Sequence, residues 1–498
     1  MSEVPEGWST AQLTDLGAPG EQTVLTGPFG ANLGKEDFVA SGVPIFTIGC
    51  LGIHGIARSK LLYVSPAKAA ELATYRLHEG DFLFSRMASV GRVGFVPADL
   101  DGALFNYHLM RVRLDNDTIL PRFFYHFVRG AEQVGTYLAD VSRGATRDGI
   151  NTKLLLDMPI WLPPLPEQRR IVAKIDSLTG KSRRARDQLD HIPRLVEKYK
   201  QAVLAAAFRG DLTREWRAAQ PNGIAGTLIR MRAERDAARV RAGLRSKGRN
   251  RSVPSKVVDL VKLPRNWTWA TFDDCSWDMT VGHVGPMKDR YVGEGIAFLR
   301  SLNVRANRVD LRKVVFIDQT FDDELKKSRL HPGDLVVVRT GEPGVAAVIP
   351  PELAEANCSD LVICRLISSA NPHFAAYYMN SDYAKSVVAG FQVGVAQQHF
   401  NVGAMSEMPL PFAPIDEQVE IVRRIEIAFT WIKRLASEAT SARKLIDRLD
   451  QAVLAKAFRG ELVPQDPEDE PASVLLERIR AEGSAASKKK RLRARVTS

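Results

Sequence analysis

Apolar residues in two stretches of the chain recur at alternating steps of four and three. One series runs Ile421, Ile425, Ala428, Ile432, Leu435, Ala439, Ala442, Ile446, Leu449, Val453; the other runs Ile171, Ile175, Leu178, Ser182, Ala185, Leu189, Ile192, Val196, Tyr199, Val203. This is the heptad spacing of a helix whose seam faces another helix. Each stretch starts after a proline with an acid in its first turn, Glu167 or Glu417, where the helix dipole favours negative charge. Each ends on a glycine, Gly210 or Gly460, suited to a left-handed C-cap. The pattern predicts two long helices. A single apolar stripe is ordinarily core packing, but two stripes in register, with few other long helical patterns to bury them, predict pairing of one against the other. Pro193 has Arg443 as its counterpart and predicts a kink or break in the first helix alone.

The register extends well beyond the stripes. QAVLAAAFRGDL at Gln201 to Leu212 returns as QAVLAKAFRGEL at Gln451 to Leu462, and PLPEQRRIVAKID at Pro164 faces PIDEQVEIVRRIE at Pro414, both 250 positions on. Ahead of each helix lie short β-rich runs divided by Gly, Pro and Asp, such as PIFTIG, DFLFSR, RVGFVP and HLMRVRL. They have counterparts: GVPIFTIG at Gly42 matches GIAFLRSL at Gly295, and RLHEGDFLFSR (Arg76 to Arg86) matches RLHPGDLVVVR (Arg329 to Arg339). The period is too long for a solenoid and marks a duplicated module. His78 and His331 read as turn residues before a strand, since no acid or nucleophile recurs beside them. After the first helix comes an arginine-dense run, RMRAERDAARVRAGLRSKGRNR, whose relative is SVLLERIRAEGSAASKKKRLRAR at Ser473 to Arg495. Both read as a short helix with a basic tail, either a solvated linker or a docking segment, with nonspecific phosphate contact as the alternative. The predicted architecture is α+β. Two duplicated mixed α/β modules (residues 1–165 and 263–413) are joined by two long antiparallel coiled-coil helices (166–212 and 414–462) about a pseudo-twofold axis. Residues 213–262 form a basic linker with a short helix, and 463–498 a short helix with a basic tail.

Composition narrows the function classes. With 498 residues and 45% apolar content the chain can build several cores. No run of about twenty apolar residues is present, and MSEVPEGW lacks the basic and apolar regions of a secretory signal, which predicts a cytoplasmic protein. Cys50, Cys275, Cys358 and Cys364 contain no CxxC pair, so buried free thiols are expected, with no zinc ribbon, metal site or disulfide framework. A formal net charge of +11 suits a polyanionic partner without requiring one. Catalytic signatures are missing. GPFGANLGKE at Gly27 has the wrong glycine spacing for a phosphate loop and places Glu36 where a hydroxyl should reach magnesium. HExxH, GxSxG, the dinucleotide-binding glycine fingerprint and the Asn/Asp-Pro-Pro-aromatic motif of adenine methyltransferases are absent. Glu324-Leu325-Lys326 is the nearest nuclease-like scrap and reads as part of a solvated helix. No catalytic residue is therefore expected. Two similar but diverged readers on one frame would suit an asymmetric bipartite DNA target instead of a palindrome. The competing interpretation is a coiled-coil scaffold whose modules bind proteins or small ligands and not DNA.

PEGW at Pro5, GPFG at Gly27, the Gly-Asp strand motif, MPIWLPPLPEQRRIV at Met158 to Val172 and QAVLAAAFRGDL together resemble the specificity subunit of a type I restriction-modification enzyme. The resemblance covers nearly the whole chain. It implies two target recognition domains that bind a split double-stranded DNA sequence with a nonspecific spacer. It also implies that catalysis belongs to partners: two modification (methyltransferase) subunits using S-adenosylmethionine, and restriction subunits using ATP and magnesium. This chain itself would bind no cofactor. DNA contacts are expected from the loops just before each helix, SRGATRDGINTK and VGVAQQHFN, through Arg143, Arg147, Lys153, Gln397, Gln398 and His399, whose side chains suit base edges or phosphates. Arg86 and Arg339, which close the Gly-Asp strand motifs, are further candidates. Phe208, Arg209, Phe458 and Arg459 are identical in both copies, which fits two different half-sites poorly, and are expected in subunit assembly, through an interface or a packing role.

Overall fold

The computed structural model describes residues 4–29, 32–52, 55–87, 91–143, 149–220, 228–245, 250–253, 262–287, 289–389 and 400–482. The chain divides into two compact units, one made of Met1–Asp190 with Thr440–Ser498, the other of His191–Ala439. One division falls between residues 190 and 191, where the first long helical stretch breaks, and the other between 439 and 440, inside the second.

In the first unit an antiparallel sheet is ordered Val24–Thr26, Leu109–Val112, Phe82–Ser85, Val93–Phe95. A second, mixed sheet holds Leu104–Phe105, Val43–Phe46, Leu62–Val64 and Phe38–Val39. The second unit repeats the plan with Ser276–Val281, Leu361–Leu366, Leu335–Val338, Ala346–Val348, beside a three-stranded sheet of Val315–Ile317, Ile296–Leu299 and Ala356–Cys358. The Gly-Asp motif makes the same turn in both. Gly80 and Gly333 adopt φ of 84° and 88°, open to glycine at little cost. Asp81 and Asp334 then accept the backbone N–H of His78 and His331 at 2.7 and 2.9 Å. The two histidines are thus turn residues.

The ends of each module are tied together where its long helix begins. Ser9–Gln12 pairs antiparallel with Pro159–Leu162, and Thr268–Thr271 pairs in the same way with Pro409–Phe412. The glutamines of the duplicated EQ motif then lock the helix to the module. Gln168 accepts the Leu120 N–H at 2.9 Å and donates to the carbonyls of Thr118 and Pro163; Gln418 accepts the Asn371 N–H at 2.8 Å and donates to Ser369 and Ala413. Buried amides need such partners, which explains why the motif recurs without reading DNA.

Three helices form the long elements: α1 (Leu165–Asp190), α2 (Ile192–Phe208) and α3 (Ile415–Ala457, 43 residues). The break at His191 falls where Pro193 predicts it, in the first turn of α2. Within the first unit α1 runs antiparallel to the end of α3. Arg186 bridges Asp447 and Asp450 at 2.9 and 2.6 Å, Asp190 pairs with Arg443, and Ile171, Ile175, Val453 and Ala457 share a core. Within the second unit Leu204, Ala207 and Phe208 pack with Ile421, Val422 and Ile425, and Arg424 reaches back to the Leu212 carbonyl. Along α3 the expected stripe runs from buried Ile421 and Ile425 through half-buried Ala428, Ile432, Ala439, Ala442 and Ile446 to buried Val453, while Leu435 and Leu449 are 58% and 57% exposed.

In the arginine-dense segment the described helix packs on the second unit. In the helix Leu228–Arg241, Met231 and Arg235 are buried; Arg235 is held by Asp236, Asn250 and Asp273, and Arg232 pairs with Asp274 at 2.8 Å. The equivalent residues 472–482 dock on the first unit in the same manner. Ala472 and Leu476 are buried, and Arg480 pairs with Asp15 at 2.8 Å. All four cysteines are free and buried. Among the described residues no helix is long and apolar enough to cross a membrane.

Candidate nucleic-acid interface

At one edge of the first unit's antiparallel sheet, segments from four parts of the sequence converge. The register sets Ser85 opposite Leu109 and Met110 opposite Thr26, so residues 27–29, 86–87, 106–108 and 149–153 leave the sheet together. Backbone bonds fix them: Gly27 N–H to Leu109 O at 3.2 Å, Arg86 N–H to His108 O at 3.0 Å, and Ile150 N–H to Arg86 O at 2.9 Å. The hydroxyls of Thr26 and Thr152 meet at 3.2 Å. Gly27 is required by crowding, because an added Cβ would lie 2.3 Å from the Asn106 carbonyl oxygen.

This frame holds Phe29 out from the surface, 60% exposed. Its ring lies nearly parallel to Tyr107, with centroids 6.1 Å apart, and the Arg86 guanidinium sits 5.9 Å from the ring centre. Tyr107 in turn rests on His108 at 3.8 Å. Burial, with the Arg86 charge beside it, pushes the His108 pKa down, so the imidazole is neutral at pH 7. Arg86 Nε and His108 Nδ1 are buried and have no hydrogen-bond partner among the described residues. Lys153 is exposed at the start of the helix Thr152–Leu156, which Asn151 caps by accepting the Leu154 N–H at 2.9 Å.

The second unit builds the same edge from other side chains. Gly282 N–H bonds Leu361 O at 2.8 Å, Arg339 N–H bonds Asp360 O at 3.2 Å, and Phe400 N–H bonds Arg339 O at 3.0 Å. Asn401 caps the next helix as Asn151 does. A Cβ on Gly282 would approach Cys358 Sγ to 2.7 Å. The segment GHVG at Gly282 to Gly285 is therefore the structural counterpart of GPFG, with Val284, 59% exposed, in the place of Phe29. Sequence reading missed this pair because the two glycines alone survive; their shared spacing was the available signal. Arg339 differs from Arg86 in having an acid, Asp360, at 3.5 Å.

Of the residues expected to contact DNA, Arg86 and Lys153 are brought to one edge, and Arg339 occupies the corresponding edge of the other unit. Arg143 closes the helix Glu132–Arg143. Its side chain, together with Arg147, Gln397, Gln398 and His399, lies outside the described residues. The residues expected in assembly divide by type. Phe208 is buried with its ring 5.2 Å from both Phe374 and Tyr378, and Phe458 is buried 5.7 and 5.3 Å from Phe123 and Phe127. Their rings fill cores and present no surface to a partner. Arg209 and Arg459 are roughly half exposed and pair with Asp211 and Glu461. The identity of the two copies thus reflects one joint built twice.

Residues 40–192 match the family described as "Type I restriction modification DNA specificity domain". The chain is also 25% identical over 443 residues to the type I restriction enzyme EcoBI specificity subunit of Escherichia coli, covering 83% of each. The chain thus resembles the specificity subunits of type I restriction-modification enzymes over most of its length. Two solved structures share the fold. The HsdS subunit from Thermoanaerobacter tengcongensis superposes with a TM-score of 0.52 at 18% identity, covering 92% of this chain and 98% of the other. A chain from a structure described as the basis of complex assembly and conformational transition of the type I R-M system gives 0.62 at 19% identity, covering 93% and 100%.

Proposed function

We propose that this chain is the non-catalytic DNA-recognition subunit of a type I restriction-modification complex, each unit reading one half of an asymmetric bipartite duplex target. The carrying observation is that one frame of converging segments is built twice with different side chains at its tip: Phe29, Tyr107 and His108 in one unit, Val284, His283 and Asp360 in the other. A shared frame with unlike tips suits two unrelated half-sites. Arg86, Lys153 and Arg339 supply cations for phosphates or base edges.

The partners are two modification subunits and the restriction subunits. A face for them is offered by Ile427, Trp431 and Leu435, which follow one stripe of α3 beside a cavity of about 450 Å³ lined by Arg423, Glu426, Thr430 and Arg434. Trp431 is 60% exposed with Arg434 over its ring at 5.8 Å, a surface of the type buried at protein interfaces. S-adenosylmethionine, ATP and magnesium are assigned to those subunits, and the complex to the cytoplasm.

The test is the salt dependence of binding to duplex DNA. Affinity should fall steeply with salt, and Arg86→Gln with Lys153→Gln should flatten the slope by about 0.9 for each phosphate that is no longer neutralised. Indifference to duplex DNA at low salt would instead favour the non-DNA scaffold.

A further inference from the structure

We infer that Phe29 is an apolar wedge that enters a base step of the half-site read by the first unit, with Tyr107 as its backing and Arg86 as its anchor on the DNA. The inference rests on the DNA-reading function proposed above and names the residue that meets the bases. Four observations carry it. A phenyl ring 60% exposed stands at the tip of a loop, and that loop can approach the sheet so closely because residue 27 lacks a Cβ. Tyr107, stacked behind it at an interplanar angle of 25°, resists deflection of the ring. Arg86 brings positive charge to 5.9 Å from the ring. Lys153, exposed, and the Thr26–Thr152 contact belong to the same edge of the sheet as the ring.

An exposed ring flanked by cations fits nucleic acid, whose bases offer apolar faces between charged backbones. A protein partner would find a basic rim with the ring standing proud of it. Position 284 decides how general the wedge is. Val284 occupies the corresponding tip in the second unit, but a branched C3 side chain has no aromatic face, and the adjacent Arg339 is partly neutralised by Asp360. The wedge therefore belongs to one half-site.

The experiment uses the full chain and a duplex that it enriches from a random pool, with 2-aminopurine placed in turn at each adenine of both half-sites. The wild-type chain should raise fluorescence at a step in one half-site alone. Phe29→Ala should abolish that signal and weaken binding about tenfold, as removal of an aromatic ring from a base does. The salt slope should stay unchanged, because the same phosphates remain neutralised. Phe29→Leu should retain part of the affinity, and Val284→Phe should create a signal in the second half-site. Because Phe29 is exposed, its variants should keep the wild-type melting temperature. Undiminished affinity and fluorescence in Phe29→Ala would overturn the wedge while leaving DNA recognition intact. Failure of the wild-type chain to prefer any duplex would overturn the DNA-reading function itself. Loss of partner co-purification in Phe29→Ala, with DNA binding unchanged, would reassign the ring to a protein interface.

Discussion

The indole N–H of Trp8 donates to the Glu167 carboxylate at 3.0 Å across 159 positions of sequence, and Trp267 donates to Glu417 in the same way at 2.9 Å. Both carboxylates are buried. The surroundings differ, because burial pushes the Glu167 pKa up while Glu417 is also met by Thr213 at 2.7 Å and Arg217 at 3.0 Å. Removing Glu417 strips a largely buried guanidinium of its counter-charge. Glu417→Ala should therefore cost about 3 kcal/mol or more, and Glu167→Ala about 1–3 kcal/mol. Urea denaturation of the two variants checks the order; equal losses, or a larger loss at Glu167, would contradict it.

Phe208→Ala and Phe458→Ala each open a cavity in a core lined by aromatic rings. Each should lose about 3–5 kcal/mol of stability. If either variant kept its wild-type denaturation midpoint yet failed to co-purify with partner subunits, the packing role would be wrong and an interface role right.

The second residue after each of these phenylalanines should be nearly as sensitive. Gly210 and Gly460 have φ of 76° and 74°, and an added Cβ would lie 2.3 Å from Pro264 Cγ or 2.9 Å from Pro5 Cβ. Strain from the backbone adds to the clash, so alanine at either site should cost more than about 1 kcal/mol. The tighter approach makes Gly210→Ala the worse of the two, measurable by thermal melts of the pair.

His126 gives the first unit a pH dependence. Burial on the helix Pro121–Gly130, helped by Arg129 and Arg122, outweighs the attraction of Asp176 and brings its pKa from 6.5 to about 4. The unfolded chain then binds a proton between those values that the folded chain does not. Stability from this group is complete above pH 6.5 and is lost as pH falls toward 4. Comparing denaturation midpoints at pH 7.5 and pH 5 should show a decline in the wild type that shrinks in His126→Leu. An undiminished decline in the variant would place the dependence elsewhere.

The duplication, the strand motifs and the long helices were legible because each repeats a local rule: heptad spacing, proline before the first turn, glycine after the last. Pro193 marked the break because a missing N–H acts wherever it sits. What was illegible depended on contacts between distant residues. Nothing local says that Phe458 fills a core with Phe123, or that Arg235 is buried against Asp273 instead of facing phosphates. The tip residue Val284 was hidden for a related reason. A tip varies while its frame persists, so the likeness of GHVG to GPFG rests on glycines and on backbone bonds that sequence does not print.

The composition of the two units also sets an order of events during synthesis. His191–Ala439 is contiguous, so everything its core needs has been translated once that segment leaves the ribosome. The other unit begins at residue 1 but is closed by Phe458, Ala472 and Leu476. At about 5–20 residues per second its apolar faces wait on the order of ten to fifty seconds for the returning strand of chain. The module translated first is thus the last to close.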